Sequence, residues 1–187
     1  MKQLTAAALV LALLAGLMSL SARAHAPLPF RSEAAPPAIV VGTFDSRAVA
    51  IAYVRSKTFS EYVGAQQADI GRALERARAA GDDDLVRALD ELGPAMQRRI
   101  HEQGFSTAPV DDLLEKIADR IPAIAEETGV DLIVSKWQLV HRASDANTVD
   151  VTEAFVREFD PDDATWKAVR EIVKQEPVSR EDAGHGH

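Results

Sequence analysis

Residues 109–160 constrain the fold of this chain more than any other stretch. Pro109 opens a segment in which Val110, Leu113, Leu114, Ile117, Ile121, Ile124 and Ala125 recur three and four apart, so they share one helix face. Asp111 and Asp112 suit the positive N-terminal end of that helix. Pro122 predicts a bend and Gly129 a stop. Val130–Val134 and Trp137–Arg142 then read as two short strands separated by a Ser135-Lys136 turn, with Trp137, Leu139 and His141 on one face by the period of two. Residues 143–149 read as a polar loop. Thr152 is the predicted N-cap of a further helix, with Val151 and Val156 spaced for a hydrophobic staple. Pro161 ends that helix, and Asp162–Gln175 carries Trp166, Val169, Ile172 and Val173 on a last one.

Upstream, residues 38–44 (AIVVGTF) are a β-branched run between Pro37 and Asp45, and read as a buried strand. Asp45 or Ser46 can cap the helix that begins there. From Arg47 to Ala80 the chain is helical in character, although Gly64 and Gly71 each cost about 1 kcal/mol relative to Ala. Gly81–Asp84 is a stop followed by a start, and is the predicted tip of a hairpin. Leu85, Leu89, Leu92, Met96 and Ile100 continue a stripe that Gly93-Pro94 interrupts, which predicts a kink or a restart with Pro94 in the first turn; Gly104 ends it. The fold class is therefore α+β and mostly helical. A small β-body (strands near 38–44, 130–134 and 137–142) carries a helical hairpin excursion over about 46–128 and C-terminal helices.

Residues 1–24 combine Lys2, an uncharged apolar run over 4–20 and a small-residue Ala22-Arg23-Ala24 end, the layout of a cleavable secretory signal. The location this predicts is the periplasm. Residues 25–37, rich in Pro and Ala, read as a flexible linker, 38–176 as one domain, and 177–187 as a disordered tail. With no Cys, disulfides, thiol chemistry and a lipid anchor on sulfur are excluded. The chain carries a net charge of −8; Lys2 and Arg23 are the only charged residues of 1–24, so the remainder holds 19 basic against 29 acidic residues, or −10. Such a surface repels nucleic acid and anionic membranes.

No catalytic constellation is evident, and the chain reads as a non-enzyme with no cofactor, metal or small-molecule substrate. Ser56, Ser60 and Ser135 lack a nucleophile-elbow context, and Gly42 and Gly64 form no phosphate cradle. The adjacent Glu126 and Glu127 point to different helix faces. Asp82-Asp83-Asp84 is a helix start without the alternating ligands of a calcium loop. His185 and His187, or His25 with His101 or His141, would hold a transition metal only loosely. Phe59, Tyr62 and Val63 cluster on the first long helix, and with Leu85 and Leu89 are the candidate residues for gripping a client or partner. Leu113, Ile117, Ile121, Ile133 and Trp137 are the candidates for core or oligomer contact.

Three blocks carry a family resemblance: VVGTFDSRAV (40–49), IAEETGVDLIVSKWQLVHRASD (124–145) and VDVTEAFVREF (149–159). In these the chain resembles the Skp/OmpH-like periplasmic chaperones, as a divergent, acidic member. The resemblance implies a small β-rich body with projecting helical arms, assembly as a trimer, and ATP-independent holding of unfolded outer-membrane or envelope proteins. The acidic charge points to apolar grip rather than electrostatic steering. The interruptions at Gly93-Pro94 and Gly104, and the extra C-terminal helix, suit an alternative: a non-catalytic envelope module of the same fold that docks a folded partner.

Overall fold

The computed structural model describes residues 38–185. The predicted signal peptide, the linker and His187 lie outside the described residues.

Strand β1 (Val41–Phe44) leads directly into helix α1 (Ser46–Val54). Asp45 is extended and caps α1 by accepting from the Arg47 backbone N–H. Helix α1 carries Ala48, Ala50 and Ala52 beside Val49 and Tyr53, all buried, so neighbouring elements approach it closely from several sides. The helix predicted to run on to Ala80 instead breaks at Arg55-Ser56, because Ser56 turns its own hydroxyl to Tyr53 O (2.6 Å) and accepts from Phe59 N (3.1 Å). Ser56 thereby starts α2 (Lys57–Ala80), about 36 Å long at 1.5 Å per residue.

The tip falls where the sequence predicts it. Gly81 takes φ 68, and Asp82 N donates to Ala77 O at 3.0 Å, which closes α2 as a Schellman turn. Asp82 then caps α3 (Asp83–Asp90) through Leu85 N. After a turn at Glu91, α4 (Leu92–Phe105) restarts with Pro94 in its first turn. Its end is tied down by Gln103, whose amide donates to Pro109 O (3.0 Å) and Asp112 Oδ1 (2.8 Å).

The single bent helix expected over 110–128 is divided. Helix α5 (Asp111–Leu114) passes through a 3-10 turn at Glu115–Ile117, and α6 begins only at Ile121, running to Thr128. Pro122 has no N–H for the carbonyl four residues back and its ring crowds that carbonyl, so an α-helix through it is disfavoured and one starting at it is not. Gly129, at φ 67, ends α6.

Strand β2 (Leu132–Ser135) matches the first predicted strand closely, but the second, at 137–142, is absent. Lys136–Gln138 form a 3-10 turn, because Ser135 Oγ accepts from Trp137 N and the Lys136 and Trp137 side chains are drawn to Asp45. The third strand is β3 (Thr148–Asp150), which begins within the expected polar loop 143–149. The sheet has order β2-β1-β3 and is parallel throughout, with Val41 opposite both Leu132 and Thr148. The whole helical excursion is thus the crossover between β1 and β2.

Helix α7 (Thr152–Arg157) has Thr152 inside its first turn rather than as its cap; the Thr152 N–H donates to Asp150 Oδ1, and the hydroxyl accepts from Asp45 N instead. Helix α8 (Asp163–Ile172) is capped by Asp162 and packs on α1. The predicted disordered tail contains α9 (Arg180–His185), which packs on α4 and buries Ala183.

One core joins these elements. Phe44 stacks on Phe155 at 4.8 Å, and Tyr53 meets Phe59 and Phe159 edge-on at 5.3 and 5.6 Å. Val49, Leu113, Ile124, Val151, Val156 and Val169 complete its centre. Of the arm, only Ala77 is buried on α2 and no residue is buried on α3, so the arm rests on its own helix propensity and caps. Among the described residues no helix is long and apolar enough to cross a membrane.

Candidate binding groove

The two limbs of the arm, α2 and α4, leave a groove of about 850 Å3 between them. Apolar residues at helical spacing build its walls. Phe59, Tyr62 and Ile70 line it from α2, and Leu92, Met96 and Ile100 from α4. Leu113 and Lys116 reach it from the segment after α4. Charges of both signs border it: Arg99 pairs with Asp112 at 3.1 Å, and Lys116 Nζ sits 5.6 Å from the centre of the Tyr62 ring. Tyr62 is 41% exposed and Leu92 47%, so apolar surface on both limbs faces solvent.

Of the residues singled out from sequence, Phe59 and Tyr62 come together in this groove. Val63 is half-buried and does not line it. Leu85 is exposed and Leu89 half-buried, both on α3 outside the groove. Leu113 and Ile117 are core residues, and Ile121 and Ile133 pack on the core from its margin. Met96 and Ile100 belonged to the visible four-residue stripe; the facing of that stripe toward α2 is a tertiary fact that the stripe alone does not carry.

Trp137 lies elsewhere, in a charged cluster at the carboxyl ends of the three strands. Its indole N–H donates to Asp45 Oδ1 at 3.1 Å. Arg47 donates to the same carboxylate through Nε (3.1 Å) and Nη2 (2.9 Å), and Lys136 Nζ reaches Oδ2 at 2.7 Å. Arg47 and Lys136 both stack on the Trp137 ring, at 4.7 and 4.4 Å. Burial pushes the Asp45 carboxyl up, but hydrogen bonds from Arg47, Lys136 and Trp137 outweigh this and hold it below the ordinary aspartate value. A carboxylate held ionised by so many donors is a poor base, so this cluster reads as a joint between β1, α1 and the turn after β2. In the sequence Asp45 reads only as a cap and Arg47 does not stand out; the Asp-x-Arg step at a strand-to-helix junction was the available signal.

Among the described residues no group of three or more His, Cys, Asp or Glu is placed to hold a metal ion. Asp82 caps α3 and Asp84 pairs with Arg87. His101 lies edge-on to Phe105. No family model, no curated protein and no solved structure matches the chain.

Proposed function

We propose that this protein is a periplasmic, ATP-independent holdase of the Skp/OmpH-like kind, non-catalytic, which grips apolar segments of unfolded outer-membrane or other envelope proteins. The observation that carries the reading is the open groove between α2 and α4, whose apolar walls face one another without closing. Each contact there is weak, so useful affinity comes from several arms engaging one client. Assembly, as a trimer by resemblance, would supply them. Leu132 (41% exposed) on the edge strand β2, and Ile39 (63%) and Val140 (101%) outside the strands, leave apolar side chains exposed, and another copy could cover such surface. The test is co-elution of a urea-unfolded β-barrel protein with this protein on rapid dilution. The reading requires a soluble complex that Tyr62→Asp combined with Met96→Asp weakens several-fold.

A second reading, an envelope module that docks a folded partner, is favoured by the break at Glu91 and by the packing of α8 on α1 and of α9 on α4. It requires a stable complex with one folded envelope protein and no effect on unfolded clients.

A further inference from the structure

A second pocket, of about 420 Å3, opens on another face of α4, where α1 and α8 meet it. Its walls are apolar: Ile51 and Val54 of α1, Gly104 and Phe105 of α4, Ala168 and Ile172 of α8. There is free space at Gly104, where a Cβ would meet only Ile51 Cγ1, at 4.0 Å, so a larger side chain there would enter the chamber. One side is bordered by the segment after α8, held there by Val178 N donating to Phe105 O at 3.0 Å. The polar groups lie at the edge: Arg55, His101, Glu171 and Gln175.

Charge at that edge is unequal. Glu171 is engaged by Lys174 at 3.1 Å. Asp162, whose carboxyl the Arg55 charge helps to lower after the larger effect of its Thr165 hydrogen bonds, is occupied in capping α8 through Thr165 N at 2.7 Å. Arg55 is exposed and forms no ion pair among the described residues. The size is within the range of small-molecule sites, and an apolar chamber with an exposed cation at its rim suits an apolar tail ending in an anion.

We propose that this pocket binds a single amphipathic carboxylate of the medium-chain fatty acid class, its tail among Ile51, Phe105 and Ile172 and its carboxylate at Arg55. The pocket shares Ile100 of α4 with the arm groove but none of that groove's other lining residues, and binding in it does not depend on client grip along the arm.

The test is calorimetric titration of the purified full chain with decanoate below its micelle concentration. The expected result is one saturable site per chain, tightening about fourfold for each CH2 added from hexanoate to decanoate. Decylamine should bind at least tenfold more weakly, and Arg55→Gln should remove most of that discrimination. Gly104→Leu and Ala168→Leu fill the chamber from two helices and should each abolish binding, with the fold checked by far-ultraviolet circular dichroism. No binding of decanoate at millimolar concentration would overturn the proposal. So would equal affinity for decylamine, several molecules per chain, or retained binding in whichever filled variant is folded. Should neither filled variant fold, the Arg55→Gln result decides, since Arg55 is exposed.

Discussion

The guanidinium of Arg47, wholly shielded from solvent, lies against the carboxylate of Asp45 two residues earlier, with Nε 3.1 Å from Oδ1 and Nη2 2.9 Å from Oδ2. Arg47 Nη1 has no partner among the described residues, so this one carboxylate is what makes the buried charge tolerable. Asp45→Ala should therefore destabilise the protein by about 3–5 kcal/mol in urea unfolding, since it strands a buried cation and removes the cap of α1. Lys136, one-third exposed, contributes less, and Lys136→Met should cost about 1 kcal/mol. Equal losses in the two variants would contradict this ranking.

Acid should act through the same carboxylate. Its folded value is lowered, so the stability it contributes is fully present above the unfolded value of about 3.9 and is lost as pH falls through the folded one. The stability gap between the natural protein and Asp45→Asn should be constant near neutral pH and shrink below about pH 4. A gap that stays constant down to pH 2.5 would show that Asp45 does not titrate in this way.

Gly42 of β1 faces the side chains of Val130 and Ile133. A Cβ there would lie 3.1 Å from Val130 Cγ2 and 3.2 Å from Ile133 Cγ1, with Leu132 O at 3.4 Å. Gly42→Ala should cost about 1–3 kcal/mol and Gly42→Val more, measured by thermal or urea unfolding. A neutral Gly42→Val would mean that the strands separate without penalty.

On the arm, function and stability should come apart. Tyr62 is exposed and Met96 half-buried, so Tyr62→Asp and Met96→Asp should each cost no more than about 1 kcal/mol. Both line the groove, so together they should reduce retention of unfolded client several-fold at unchanged helicity. Loss of retention with Leu85→Asp, outside the groove, and none with the groove variants would place the grip on α3 instead.

The parts of this fold that were legible in sequence are those fixed by local chemistry. Strand β1 ends just before Asp45, as the sequence suggests, although it begins at Val41 rather than at the start of the 38–44 run; the tip is set by Gly81 and Asp82; the restart of α4 is set by Gly93-Pro94. The misreadings are places where a remote partner decides. Trp137, Leu139 and His141 alternate as a strand should, yet Asp45, far back in the chain, holds Lys136 and Trp137 in a turn. Thr148–Asp150 is too short and polar to announce itself, and is a strand because β1 offers it an open edge. Helix α9 carries few apolar residues and is ordered by its packing on α4. In the groove, Phe59 and Tyr62 stood out as a cluster, while Met96 and Ile100 needed the position of α4 to be recognised.

The most direct measurement of the central claim is aggregation suppression. A urea-unfolded outer-membrane β-barrel is diluted into buffer with and without this protein, without ATP, and light scattering is followed. Scattering should be suppressed at near-stoichiometric amounts and return with the Tyr62→Asp, Met96→Asp pair. Undiminished scattering at a several-fold excess of the natural protein would contradict the holdase reading for this client class and favour the folded-partner module.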